Sequence, residues 1–128
     1  MSQENLEIAR QGIACLNRGD DDGFAAVMAE DVTYVPYDDS PIHGREQVLQ
    51  LARSWSEAFD RFEWESSQLV DVGDYVVLSG RVVGRGRGSG VEVSSNDAWV
   101  LRFSDGQVIE CREYASRADA LEAVELRE

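Results

Sequence analysis

The sequence predicts an α+β fold in which N-terminal helices are wrapped by a curved antiparallel sheet. Apolar residues follow a helical period up to about residue 59, then alternate in β-branched stretches from about residue 61. Only short turn sequences separate those stretches, so consecutive strands must run antiparallel. The size fits one unit: 128 residues make a single domain, 1–128, with one core.

Leu6, Ala9, Ile13 and Leu16 mark the inward face of a first helix. Asn17-Arg18-Gly19 ends it, with Gly19 placed for the left-handed position that follows a helix. Asp20 is positioned to cap a short second helix that turns Phe24, Val27 and Met28 inward. Val32–Val35 is β-branched and aromatic and reads as a short strand. Pro36–Gly44, with two prolines and two aspartates, reads as a loop. Val48, Leu51, Ala52, Trp55 and Phe59 then give an amphipathic third helix.

Four strands follow over Arg61–Val72, Tyr75–Gly84, Val91–Phe103 and Gln107–Ala115. Their separators are Gly73-Asp74, the glycine-rich Arg85–Gly90 stretch and Asp105-Gly106. Ser116-Arg117-Ala118-Asp119 resembles a capping box, and Leu121 and Val124 suggest a short last helix. The helices are expected on one face of the sheet. Val76, Leu78 and Val82 alternate with Tyr75, Val77 and Val83, so both faces of the sheet read as apolar. A doubly apolar sheet implies a partner surface, and a homodimer is expected.

The charge balance narrows the partners. There are 25 acidic against 12 basic residues, all Arg, for a formal charge of −13. Such a surface repels phosphate backbones and anionic membranes, so neither nucleic acid nor membrane is an expected partner. No apolar run approaches the ~18 residues of a membrane span. Met1–Gln11 is polar and acidic, unlike a secretory leader. Cys15 and Cys111 stand far apart without a CxxC motif, so no metal site is expected. A cytoplasmic, reduced protein is the default.

The last hairpin carries the chemistry that the residues alone suggest. A three-residue turn with a glycine bulge would pair Phe103 with Gln107, Trp99 with Cys111 and Asp97 with Glu113. Asp97 and Glu113 would then form a carboxylate pair beside Trp99, in which one carboxyl keeps its proton and becomes a general acid. A two-residue Asp-Gly turn would shift the register by one and destroy that pairing. The competing reading puts Asp97 at the solvent mouth or a dimer surface and pairs Glu113 with an Arg. Cys111 faces the same side in the bulged register, as packing rather than as a nucleophile, since no activating His is near it in sequence. His43, the only histidine, reads as an exposed loop residue. Arg85–Gly90 runs between strands and not into a helix, so it reads as a connection and not a phosphate loop.

The order of elements resembles the nuclear transport factor 2-like superfamily and, within it, the SnoaL-like group. The resemblance is carried by Leu16-Asn17-Arg18-Gly19-Asp20, Met28–Tyr34, His43-Gly44-Arg45-Glu46, Phe103–Ile109 and Arg112-Glu113-Tyr114. It implies a cone-shaped, cystatin-like α+β barrel with an apolar pocket, often in a dimer. Its members include ketosteroid isomerases, polyketide cyclases, limonene epoxide hydrolases and dehydratases. Set against the isomerases, Pro36 falls where the base would be, Gly12 where the tyrosine would be and Trp99 where the neutral aspartate would be. None can take its role, which argues against that chemistry. Against the cyclases, Glu113 stands at the acid/base aspartate and Trp99 replaces the histidine. Against the epoxide hydrolases, Glu113 with Arg81 or Arg112 could imitate part of an Asp–Arg–Asp set.

In such a cone, Tyr34, Trp55, Phe59, Phe62, Trp64 and Trp99 would line or back the cavity. Aromatic walls with one or two carboxyls suit a small, planar, apolar ligand. The sequence therefore points to a cofactor-independent enzyme using acid/base chemistry of isomerase, cyclase or hydrolase type on an apolar cyclic or carbonyl compound. Its expected catalytic residues are Glu113 and Asp97, with Trp99, Tyr34, Trp55, Phe59 and Cys111 contacting the substrate. The alternatives are a non-catalytic binding or dimerisation module of the same fold and a subunit that assembles only with a different protein.

Overall fold

The computed structural model describes residues 2–127; Met1 and Glu128, the ends of the expected domain, lie outside the described residues. Helix α1 (Ser2–Asn17) stops at Gly19, whose φ of 72° lies in the left-handed region. Helix α2 (Asp21–Ala26) begins where Asp20 Oδ1 accepts the Gly23 N–H at 2.9 Å. That bond satisfies one of the donors a helix start leaves open. Strand β1 (Met28–Val35) begins four residues before the β-branched run that predicted it. The following loop contains β2 (Ile42–His43), two residues too few to leave a period in the sequence.

Helix α3 (Arg45–Ala58) buries Val48, Leu49 and Ala52. Its C-terminal carbonyls are collected by Arg87. The guanidinium donates to Ser56 O and Glu57 O at 3.0 Å and to Phe59 O at 3.1 Å, and the Arg87 backbone N–H donates to Ala58 O at 3.0 Å. A cation suits the negative end of a helix. The Arg85–Gly90 stretch ends β4 and connects it to β5, as its position between strands predicts, and its Arg87 in addition caps a helix, which the sequence does not predict.

Four long strands follow: β3 (Phe59–Val72), β4 (Tyr75–Gly86), β5 (Glu92–Ser104) and β6 (Gln107–Tyr114). Helix α4 (Arg117–Arg127) closes the chain, and its Asp119 N–H donates to Ser116 Oγ at 3.1 Å. The six strands form one curled sheet in the order β2-β1-β6-β5-β4-β3. All neighbours are antiparallel except β1 and β6, which run parallel. The exception arises because α3 and the four strands β2–β5 lie between β1 and β6 in the chain, so no hairpin joins the two.

The helices do not all lie on one face, contrary to the expectation. α1, α2 and α3 fill the concave side, where Val32, Val76, Leu78, Trp99 and Val108 are buried. Helix α4 covers the convex side, packing Ala120 and Val124 on Val77, Ala98 and Val100. The chain therefore covers much of its own second apolar face, for which the sequence predicts a partner.

The final hairpin also differs from the favoured reading. Its turn is the two-residue Asp105-Gly106, with φ of 52° and 78°, and Ser104 is opposite Gln107. Positive φ at both positions is the twist that two-residue hairpins favour. A bulge follows: Phe103 faces Val108 but Arg102 faces Glu110, leaving Ile109 as the extra residue. Trp99 is therefore opposite Glu113 and Leu101 opposite Cys111, not Trp99 with Cys111 or Asp97 with Glu113. The turn shifts the register by one and the bulge by one more. Two shifts restore the side-chain parity, so Asp97 and Glu113 still share the concave face as diagonal neighbours. Among the described residues, no helix is long and apolar enough to cross a membrane.

Candidate functional site

A cavity of about 290 Å³ lies between the concave face and helices α1–α3. That is near the small end of ligand pockets, which span roughly 300–1,000 Å³. Its wall includes all seven residues singled out from the sequence: Glu113, Asp97, Trp99, Tyr34, Trp55, Phe59 and Cys111. It also includes Phe62, Trp64 and Gly12, while Pro36 is not part of it.

The sheet register explains how these residues meet. Trp99 on β5 lies between Leu78 on β4 and Glu113 on β6. Cys111 on β6 lies between Leu101 on β5 and Tyr34 on β1. Trp64 meets Trp99 with ring centroids 4.2 Å apart at 56°, and Trp55 stacks on Phe62 at 5.2 Å. Phe59 lies over Gly84, where a side-chain carbon would come within 2.9 Å of its ring, so the glycine makes that contact possible. Trp64 sits on an edge strand whose backbone would otherwise be unpaired on one side. The Asn17 side chain completes it, donating to Trp64 O at 2.9 Å and accepting from Trp64 N–H at 2.8 Å.

The polar groups are few. The Tyr37 backbone N–H donates to Glu113 Oε1 at 2.9 Å. The Ser95 hydroxyl donates to Asp97 Oδ2 at 2.8 Å. Burial pushes the Glu113 carboxyl above the ordinary carboxylate range; the Tyr37 amide pulls it down and the charge of Asp97 pushes it up. Burial likewise lifts the Tyr34 phenol, helped by Cys111, Glu113 and Asp97, while the Trp99 indole acts the other way. Burial, then Glu113 and Glu110, lift the Cys111 thiol, so this sulfur is held as a protonated thiol and is a poor nucleophile.

Other candidates fall outside the cavity. Arg81 pairs with Glu65 at 2.9 Å, and Arg112 lies 3.7 Å from Glu110, both on the convex face. Neither reaches Glu113, and among the described residues no Asp–Arg–Asp-like set forms and no Arg pairs with Glu113. His43 is exposed on β2, 3.2 Å from Thr33 Oγ1. Among the described residues no cluster of His, Cys, Asp and Glu could hold a metal ion.

Sequence reasoning did not identify the Tyr37 amide, the Asn17 clamp or Ser95. The first two depend on chain paths 76 and 47 residues apart, which leave no local pattern. Ser95 shares an alternating face with Asp97 and Trp99 and was open to detection.

No curated protein matches the chain in sequence. Solved structures do match in fold. A candidate SnoaL-like polyketide cyclase from Jannaschia sp. CCS1 is 23% identical with a TM-score of 0.81, over 96% of this chain and 92% of that one. TerC, co-crystallised with polyporic acid, is 16% identical with a TM-score of 0.77, over 95% and 98%. A hypothetical protein of ketosteroid isomerase-like fold from Catenulispora acidiphila, in complex with trimethylamine, is 19% identical with a TM-score of 0.77, over 93% and 92%. Identities this low carry the fold and no more. The SnoaL-like domain family matches residues 9–111, which span the helices, the cavity wall and most of the last hairpin, and the chain belongs to that family.

Proposed function

We propose that this SnoaL-like domain is a cofactor-independent enzyme that moves a proton on a small apolar cyclic or carbonyl compound. The observation that carries the proposal is the placement of two carboxyls, Glu113 and Asp97, on an otherwise apolar, aromatic wall. Their environments differ. Burial favours the protonated form of Glu113, while Asp97 accepts the Ser95 hydroxyl. A carboxyl that keeps its proton can serve as the acid beside a second carboxyl that serves as the base.

As diagonal neighbours, the two strand positions are separated by roughly 7–8 Å, enough to hold a carbonyl and its α-carbon between them. The Asp97 carboxylate takes the α-proton, the C–H pair moves into the C–C bond, and the carbonyl oxygen takes the proton of Glu113. The product is an enol, and the reverse transfers return the proton to the same or another carbon. Trp99, Tyr34, Trp55 and Phe59 hold the ring body, and Cys111 packs beneath it. Such proton transfer asks for neither metal nor cofactor. That relatives of this fold have been crystallised with small molecules, polyporic acid and trimethylamine, supports a small-molecule role. Assembly as a homodimer belongs to the same proposal on narrower ground. Val91 and Val93 are 61% and 51% exposed near the β4–β5 turn, and light scattering of the purified protein tests the dimer.

The second reading, a non-catalytic binding module, is favoured by one contact. The Tyr37 N–H on Glu113 stabilises the carboxylate and not the acid. The test is α-proton exchange of planar cyclic ketones in D₂O, followed by NMR, together with tryptophan-fluorescence titration of the wild type and Trp99→Phe. Saturable quenching with exchange that is lost in Glu113→Gln supports the enzyme. Quenching without exchange supports the binding module, and no saturable response from any ketone overturns both.

A further inference from the structure

We propose that the ligand this cavity selects carries a positively charged nitrogen, an ammonium centre on an apolar ring body, seated between the Asp97 and Glu113 carboxyls and the rings of Trp99 and Trp64. The inference deepens the function proposed above and rests on its reading of the cavity as the ligand site.

Charge is the first support. Among the described residues, the ionisable groups of the wall are Asp97, Glu113, Tyr34 and Cys111, with no Lys, Arg or His. Their only possible charge is negative. Several acids elsewhere have Arg partners: Glu65 pairs with Arg81, Asp60 with Arg87, Asp21 and Glu46 with Arg53. Asp97 and Glu113 instead hold a serine hydroxyl and a backbone amide. A cation is the group that would neutralise them, and the chain's −13 charge draws cations toward the surface.

The rings are the second support. Trp99 is opposite Glu113 across the sheet and two residues from Asp97, on the same face. Trp64 packs against it at 4.2 Å. Tryptophan is the ring that attracts a cation best, and desolvation in a cavity strengthens the effect. Space is the third. Gly80 is the β4 partner of Asp97, so no side chain stands over that carboxyl from β4.

Affinity should follow pH. The groups that face Glu113 are Asp97 on β5, Tyr34 on β1 and Cys111 on its own strand, and α1–α3 add no charge to the wall. An ammonium held chiefly by the Asp97 carboxylate leaves the Glu113 proton in place for the transfer proposed above, and loss of that proton at higher pH strengthens its binding while that of an uncharged ligand stays level.

The experiment is a tryptophan-fluorescence titration with three probes of one size: benzyltrimethylammonium, its uncharged isostere neopentylbenzene, and phenylacetate. The expected result is ammonium binding roughly tenfold tighter than the isostere, with phenylacetate weakest. The preference should shrink to near unity in the Asp97→Asn, Glu113→Gln double variant, with isostere binding retained. Equal or tighter binding of neopentylbenzene overturns the inference and leaves the proposed function standing. So does a preference that survives in the variant. Binding of none of the three removes the ligand site itself. If the double variant does not fold, the wild-type comparison still decides.

Discussion

Replacing Trp99 with alanine tests the cavity wall and the strand register together. Trp99 is 6% exposed, so most of its surface is out of water. A buried aromatic covers about 150–250 Å². At about 25 cal/mol per Å², the burial is worth roughly 4–6 kcal/mol before the remaining methyl is counted. Part of the ring borders the existing cavity, so the space it vacates merges with that cavity and adds little further cost. The expected destabilisation is about 3–4 kcal/mol, a large share of the 5–15 kcal/mol typical of a domain. For a chain of this length that lowers the melting temperature by roughly 10–16 °C. The contact with Trp64 adds a second readout, because an aromatic pair is worth about 0.5–1.5 kcal/mol beyond its area. Urea denaturation of Trp99→Ala, Trp64→Ala and the double variant, followed by circular dichroism, closes the cycle. A loss below about 1 kcal/mol for Trp99→Ala would put the indole in solvent. Additivity within about 0.3–0.5 kcal/mol would mean that the rings do not touch. Either result refutes the register that sets Trp99 between Leu78 and Glu113.

Other perturbations have signs set by the structure. Glu113 holds its proton more tightly folded than unfolded, so its contribution to stability is full below the ordinary carboxylate range and is lost as pH rises through the raised value. Glu113→Gln should therefore gain stability relative to wild type between acid and neutral pH, and a pH-independent difference in urea midpoints would contradict the burial argument. Asn17→Ala removes both bonds to the Trp64 backbone and should cost about 1–2 kcal/mol with a shift in tryptophan emission, read by thermal melts and fluorescence. Gly106→Ala places a Cβ at φ of 78° in the tight turn and should cost about 1 kcal/mol, whereas Asp105→Asn should be neutral within error. Arg87→Met keeps the stem but frees the last carbonyls of α3, for a loss of about 1–2 kcal/mol that salt does not abolish if hydrogen bonding dominates.

Much of this molecule is written locally. The Asp20 cap, Gly19 beyond α1 and the Ser116 cap of α4 each depend on a few neighbouring residues, and each forms where the sequence places it. The helical and alternating periods likewise determine which aromatics face inward, because periodicity is a property of the chain itself. Trp55, Phe59, Phe62, Trp64 and Trp99 reach one cavity for that reason.

What the sequence left open is long-range or parity-sensitive. It allowed two turns for the last hairpin, and the bulge at Ile109 is formed only against the partner strands, so the opposition of Trp99 to Glu113 was not legible. It showed both faces of the sheet as apolar but not which element covers the second, a choice made by α4 after the turn at Ala115-Ser116. The sequence by itself determined the α+β order and the inward aromatic face, because these follow from local geometry, whereas the shared face of Asp97 and Glu113 waited on the turn and the bulge of the last hairpin. Only the tertiary structure decided how the two carboxyls sit, with Tyr37 on one and Ser95 on the other in a cavity whose wall has no described cation, because packing distant segments sets burial and hydrogen-bond partners.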